Sequence, residues 1–384
     1  MGCELTPTRV AIAGVGESAF GRTLDTPVDA MVVDACRRAI ADAGLVAADI
    51  DGIVPAQGGP AADDVSAALG ATRRYTAAPG YTPGSGSVAA IRTARAAIDA
   101  GEADTVLVYF GYKGSKPGGP YSFHAEDPVK AALEMPFGWY GQPVYFAGWA
   151  QRYCHEYGVR PDDFAPVALA ARAWATVTPG SQRSTPLALD GYLASPMVAS
   201  PLRALDCCLI TDGAAAYVVT ALDRARDLAQ PPVVVAGVGV SSLDVTLTGI
   251  FTQKSDVLSL GSARSGAAAY HDAGLGPSDI DLAQIYDCFS ISMVLQMEDL
   301  GLCSRGEGFA FAADGRIGPG GALPVNTNGG HLSYAYIPGM NHVVEAVRQL
   351  RGQRGQAQVA GAEVCAVAAL GGNDHATAIL TGDR

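Results

Sequence analysis

DAGLVAADIDGI (residues 42–53) returns later in the chain as DAGLGPSDIDLA (residues 272–283). Upstream of the copies stand two short apolar runs closed by glycine, VAIAGVG (10–16) and VVVAGVG (233–239). Such runs suit strands buried on both faces. Between run and repeat in the first copy, VDAMVVDACRRAIADAGL (28–45) carries apolar residues at three- and four-residue steps, and Gly44 stops the helix. Self-similarity of this kind means two structurally alike halves. Each half reads β-α-β-α-β-β, so the sequence predicts a duplicated α/β domain with mixed sheets around shared helices. The expected halves are residues 1–225 and 226–384.

In the first half, GYTPGSGSVAAIRTARAAIDAG (80–101) is a tight turn feeding an Ala-rich helix. The free N–H groups of a first helical turn suit a developing negative charge such as an enolate oxygen. A packed strand–turn–helix with no ligand fits the same spacing. TVLVYFGY (105–112) reads as a central strand, and DGAAAYVVTAL (212–222) as the strand that closes the half. Between them, from about 113 to 200, the pattern loosens into Pro, Gly and aromatic residues, with helices expected near 142–157 and 163–176. A long insertion between strands serves as a lid or binding loop. Residues 180–200 read as a cover over an apolar pocket, where Arg183 is either a phosphate contact or a solvated surface arginine.

In the second half, IYDCFSISMVLQMEDLGL (285–302) ends a strand and starts a helix that Ser290 can cap, placing Tyr286 and Cys288 at the corner. VNTNGGHLSYAYIPGM (325–340) is a Gly-rich loop that runs through Gly329 and Gly330 past His331 and Tyr336 into a helix expected at 342–352. Loops held by rigid neighbours are where catalytic groups usually sit. A plain loop with surface tyrosines also fits, and Asn326 and Asn328 are equally readable as turn caps. EVCAVAALGG (363–372) and HATAILTG (375–382) read as two closing strands.

Composition narrows the function classes. The 384 residues are 49% hydrophobic and 17% charged, an ordinary well-packed balance. A net charge of −12 argues against nucleic acid and anionic membranes, though a local basic patch would still take a CoA or phosphate ligand. Eight cysteines and six histidines lack metal-ligand spacing. Most of the cysteines are read as small buried residues in a reducing cytoplasm. No metal or cofactor is expected. No signal-peptide run and no uninterrupted 18-residue apolar stretch is seen, so a cytoplasmic chain without a membrane span is expected.

DGAAA at 212, YDCF at 286–289, EDLGLC at 298–303, and VN-x-x-GG ahead of a Pro-Gly turn and QLRG together resemble the thiolase superfamily, in its sterol-carrier-protein-type, lipid-transfer-like branch. The resemblance covers nearly the whole chain. It implies a five-layer α/β/α/β/α fold, a homodimer and an acyl-CoA ligand. It also marks four departures. Tyr81 stands three residues before Gly84, where the family has its nucleophilic Cys. Tyr286 begins the element that usually begins with His, and Tyr336 stands where the family's G-H-P element supplies a second His. No Cys follows Cys365, so the late family Cys is missing too.

Thiolysis needs a thiolate to carry the acyl group. A phenol, with an ordinary pKa of about 10, is a poor substitute. Retro-aldol cleavage of a β-hydroxyacyl thioester needs no covalent intermediate: only a base for the hydroxyl, a cradle for the enolate and an acid for the α-carbon. One phenol is then expected to be ionised or relayed by donors that lower its pKa. The tyrosine pattern resembles thiolase-related aldolases of bacterial steroid side-chain degradation. The resemblance implies cleavage of a 17-hydroxy steroid acyl-CoA to a 17-ketosteroid and propionyl-CoA, together with a small zinc-ribbon/OB-fold (DUF35-type) partner protein. Tyr336 is the expected proton-transfer group at the hydroxyl, with Tyr286 orienting it or protonating the enolate; the roles are interchangeable. Tyr81, Cys288, Gly329, Gly330, His331 and His375 are the expected supporting pocket. Tyr81 is also readable as a volume filler, and His331 and His375 as structural histidines. The CoA-contacting residues are not assigned. Two other readings stay open: a thiolase-like acyltransferase using Cys288 or a partner residue, and a non-catalytic lipid-CoA-binding subunit.

Overall fold

A computed structural model describes residues 8–383 apart from 79, 81–83, 117–127, 129 and 246–248. The strands are β1 (Val10–Glu17), β2 (Gly52–Pro55), β3 (Tyr75–Thr76), β4 (Thr105–Lys113), β5 (Met197–Ala199), β6 (Leu202–Arg203) and β7 (Asp212–Ala221) in the first half. The second half contributes β8 (Val233–Ser242), β9 (Leu282–Ile285), β10 (Val364–Gly371) and β11 (Asp374–Gly382). Hydrogen-bonded order across the main sheet is β3-β2-β4-β7-β1-β8-β11-β10-β9. Apart from the short β3, this order reads the same from either end once each strand is matched to its repeat. The halves meet where β1 pairs with β8, through Ala11–Val234 and Ile12–Val233.

The aspartates of the repeated stretch do the same work twice. Asp42 accepts the Val15 N–H, and Asp272 accepts the Val238 N–H, both at 2.9 Å. Asp49 and Asp279 each cap the turn three residues back, on the N–H groups of Val46 and Gly276. Asp51 holds the amides that open β4, and Asp281 those that open β10. The glycines of the apolar runs are equally matched. A Cβ at Gly14 or at Gly237 would stand 2.2 Å from a carbonyl oxygen of the helix packed over it, Ala39 or Ala269. Glycine therefore lets the helices Val28–Asp42 and Ser262–Ala273 lie directly on their strands.

The central layer is a pair of helices, Gly86–Asp99 and Met340–Leu350, which touch each other and strands of both halves. Their apolar faces share one core with β1, β4, β7, β8, β10 and β11. The outer helix Val28–Asp42 has a separate core against the first half-sheet, and Ser290–Asp299 belongs to another against the second. Helix, half-sheet, helix pair, half-sheet and helix make the five layers expected. Two ion pairs lock the halves crosswise: Arg95 of the first reaches Asp272 of the second at 2.7 Å, and Arg351 of the second reaches Asp42 of the first at 2.8 Å.

The insertion carries helices Gln142–Tyr157 and Ala165–Thr176, and it packs on the second half rather than its own. Phe146 stacks on Phe289 and Phe164 on Phe309. Several expectations are corrected in detail. The helix expected at 342–352 runs Met340–Leu350. Ser290 does not cap its helix: its hydroxyl goes to Asp206, while Ser292 takes the Phe289 N–H. Among the described cysteines, Cys36, Cys288 and Cys365 are buried, whereas Cys154, Cys207, Cys208 and Cys303 are only partly covered. No described helix is long and apolar enough to cross a membrane.

Candidate functional site

Tyr286 follows the last residue of β9, where the sheet hands the chain to the helix Ser290–Asp299. Its backbone is pinned on both sides: its N–H donates to the Ala368 carbonyl, and its own carbonyl accepts Gln296 Nε2 at 2.8 Å. Asn326 holds the residue before it, accepting the Ile285 N–H at 2.7 Å and donating to the Ile285 carbonyl at 2.8 Å. This double grip requires Asn326 to sit at a positive φ of 51°, a conformation that Asn tolerates better than most residues. So Asn326 is a clamp across elements, beyond the turn cap allowed by sequence.

Tyr336 arrives from the opposite side, on the loop between the short helix Gly330–Ser333 and Met340–Leu350. Its N–H donates to Thr211 Oγ1 at 2.8 Å. The two phenol oxygens lie 2.8 Å apart, in hydrogen-bond contact. Tyr286 is buried, and Tyr336 is partly open. Burial pushes both phenols well above the ordinary tyrosine range; the bond from Tyr336 opposes this at Tyr286 without reversing it. The expectation of donors that lower one phenol's pKa is therefore corrected: among the described residues no cation is paired with either oxygen, and desolvation keeps both neutral.

His331 packs edge-to-face against both phenol rings, with centroids 4.7 Å from Tyr286 and 4.9 Å from Tyr336. Behind it lies a buried trio. Asp287 Oδ1 is 3.4 Å from His331 Nδ1 and 3.2 Å from His342 Nε2, and all three side chains are fully buried. Asp287 also accepts the His331 N–H at 2.8 Å and the Leu332 N–H at 3.3 Å, so this carboxylate anchors the turn that carries His331. Burial holds His331 well below the usual imidazole range, and it stays neutral. Asp287, His331 and His342 present nitrogen and oxygen atoms within 4.8 Å of one another, the one group among the described residues able to hold a metal ion. The Asp287 oxygens are already engaged by two amides, which suits a structural frame.

The glycines are required by this frame. A Cβ at Gly330 would lie 2.2 Å from Asp287 Oδ2, and one at Gly329 would lie 2.7 Å from Ala175 Cβ. Cys288 is buried, with its Sγ 3.5 Å from Ser292 Oγ, and its pKa is pushed up to about 12. A thiol so far from ionisation is a poor nucleophile. His375 lies behind the site. Its Nδ1 meets Ser265 Oγ at 2.7 Å and its Nε2 meets Gln296 Oε1 at 3.0 Å, and burial lowers it to about 3. Gln296 links it to the Tyr286 carbonyl. Tyr81 lies outside the described residues. Gly84 and Ser87 lie against the Pro338–Gly339 loop, where Ser87 Oγ and Gln57 Nε2 both donate to the Pro338 carbonyl. The Gly84 N–H is spent on Gln57 Oε1, so it is not free for an enolate.

Tyr112 was missed from sequence. It lies near the end of β4, its ring edge-on to Tyr336 at 5.6 Å, and burial pushes its pKa up to about 12. Its signal was position: the C-terminal ends of central strands are where α/β sheets place ligand contacts. Asp287 and His342 had no such signal, because their partnership forms only in space. A cavity of about 430 Å³ lined by Val159, Leu169, Leu189 and Phe309 lies under the insertion, and neither phenol lines it.

The duplicated, layered body defines a thiolase-like protein. Residues 209–382 match the family described as thiolase C-terminal domain-like. A steroid side-chain-cleaving aldolase of Thermomonospora curvata is 34% identical over 368 residues, covering 91% of this chain and 92% of that protein. A 17-hydroxy-3-oxo-4-pregnene-20-carboxyl-CoA lyase of Mycobacterium tuberculosis is 35% identical over 356 residues, covering 90% and 92%. A solved Ltp2-ChsH2(DUF35) aldolase superposes with a TM-score of 0.90 at 33% identity over 98% of this chain and 99% of that one. The chain belongs to the thiolase superfamily, in the same family as these two relatives.

Proposed function

We propose that the protein is a carbon–carbon lyase that cleaves a β-hydroxyacyl-CoA by a retro-aldol reaction, with a 17-hydroxy steroid side-chain thioester as substrate and a 17-ketosteroid and propionyl-CoA as products. The observation that carries the mechanism is the 2.8 Å contact between two neutral phenols. In this reaction the bond between the hydroxyl-bearing carbon and the thioester α-carbon breaks. Its electron pair moves into the thioester as an enolate while the hydroxyl oxygen becomes a carbonyl. One proton must travel from that hydroxyl to the α-carbon. Tyr336, the more open phenol, takes it while passing its own proton to Tyr286, and Tyr286 delivers a proton to the enolate carbon. The relay ends with both phenols neutral, so raised pKa values suit it better than lowered ones.

No redox or electrophilic cofactor is needed, because the net change is a bond cleavage and an internal proton transfer. His331 and Asp287 act by holding the rings. A high thiol pKa at Cys288 weighs against the acyltransferase reading. The relatives' names favour catalysis over a passive lipid-CoA carrier. By analogy with the Ltp2-ChsH2(DUF35) aldolase, the working form is proposed to include a DUF35-type partner, and two copies of this chain are proposed from the thiolase resemblance alone. The test is incubation with a 17-hydroxy steroid acyl-CoA, with and without that partner. Equal amounts of ketone and propionyl-CoA are expected in the complex; binding without products would support the carrier reading instead.

A further inference from the structure

Two arginines beside the phenol loop have no role in the proton relay. Arg172, on the helix Ala165–Thr176, is 7% exposed. Its Nε donates to Ser333 Oγ at 3.2 Å and its Nη1 to the Thr185 carbonyl at 3.0 Å. Arg183 is partly covered, and its Nη1 is buried with no hydrogen-bond partner. Among the described residues, no carboxylate stands in ion-pair contact with either. The charged neighbour that acts on Arg172 is Arg183, and the like charge that acts on Arg183 is Arg22. Burial followed by like charge holds Arg172 below the usual guanidinium range, and burial holds Arg183 below it too. Gathering guanidinium groups without a counter-charge is unfavourable until an anion arrives, and a guanidinium fork suits phosphate.

The segment is also tied to the catalytic loop. The N–H groups of Gln182 and Arg183 donate to the carbonyls of Tyr334 and Ser333, both at 3.0 Å. Gln182 Oε1 accepts the hydroxyl of Thr211, whose oxygen holds the Tyr336 N–H. A chain of net charge −12 repels an anionic ligand unless a local cluster of cations receives it.

We propose that Arg183, with Arg172 and Arg22 adding positive charge, binds a phosphate of the CoA moiety of the substrate. This rests on the acyl-CoA reading above and names residues for its anionic end. The phosphate takes the unmet Nη1 donor of Arg183, and the Gln182–Thr211 link joins its binding to the placement of Tyr336.

The probe is 3′,5′-ADP, measured by calorimetry on the full chain and as an inhibitor of turnover. Arg183→Gln is the variant, because among the described residues the Arg183 side chain makes no hydrogen bond whose loss would unfold the loop; Arg183→Lys keeps the charge and loses the fork. In Arg183→Gln we expect the KM for the steroid acyl-CoA to rise about 10- to 100-fold with kcat little changed. The KM for the same acyl group on pantetheine stays as in the parent, ADP affinity falls by a similar factor, and Arg183→Lys recovers part of both. An unchanged KM and ADP affinity would overturn the assignment, and so would an equal loss on the pantetheine thioester. Loss of partner binding with an unchanged KM would give these arginines to an acidic surface of the partner and overturn it too. ADP bound through Arg183 in a chain that cleaves nothing would leave this site standing and remove the lyase reading alone.

Discussion

Two phenols with oxygens 2.8 Å apart, and burial holding both neutral, are suited to passing a proton and unsuited to holding a charge. This has a consequence for pH. Neither phenol loses its proton until well above its ordinary pKa of about 10, and His331 gains one only well below about 6.5. The turnover number is therefore expected to be level between about pH 6.5 and pH 9. A steady-state pH profile checks this, and an inflection near neutrality would assign the base to a titrating imidazole or thiolate. Tyr286 and Tyr336 were legible in the sequence because each replaces a different residue type inside a recognisable motif. Their pKa direction was not legible. It depends on burial of the two oxygens, which no spacing reveals.

The element that holds the site is the turn Gly330–Ser333, anchored by Asp287 from the β9 corner. Sequence marked this loop by its paired glycines, and the structure supplies the reason. Gly330 has φ of 58° and no room for a Cβ, with Asp287 Oδ2 2.2 Å from where one would stand. Gly330→Ala should cost about 2–4 kcal/mol, combining left-handed strain with a clash against a buried carboxylate. Denaturant unfolding measures the loss, and activity should fall further than stability because His331 and both phenols hang on this turn. A variant with parent stability and activity would show that the turn is slack. The expected Ser290 cap failed because a buried acceptor, Asp206, outbid the helix amides for that hydroxyl.

At the scale of the whole molecule, the duplication was readable because its aspartates are fixed by backbone amides, which make the same demand in each half. The insertion's packing on the opposite half was not readable, since nothing local states which core Phe146 and Phe164 will join. The crossed pairs Arg95–Asp272 and Arg351–Asp42 predict that Asp42→Ala and Asp272→Ala destabilise by similar amounts, about 1–3 kcal/mol each. Both should shift one common thermal transition; two separate transitions would show that the halves unfold independently. The account as a whole turns on cleavage by the phenol pair without a covalent acyl-enzyme. Its most direct test is the rate of ketone release from the steroid acyl-CoA by the partnered complex carrying Tyr336→Phe or Tyr286→Phe, with the intact mass of the chain followed during turnover. The account predicts a fall of about 10²- to 10⁴-fold in each variant, with folding retained and no acyl adduct on the parent chain. Near-parent rates in both variants, or an acyl group found on Cys288, would contradict it.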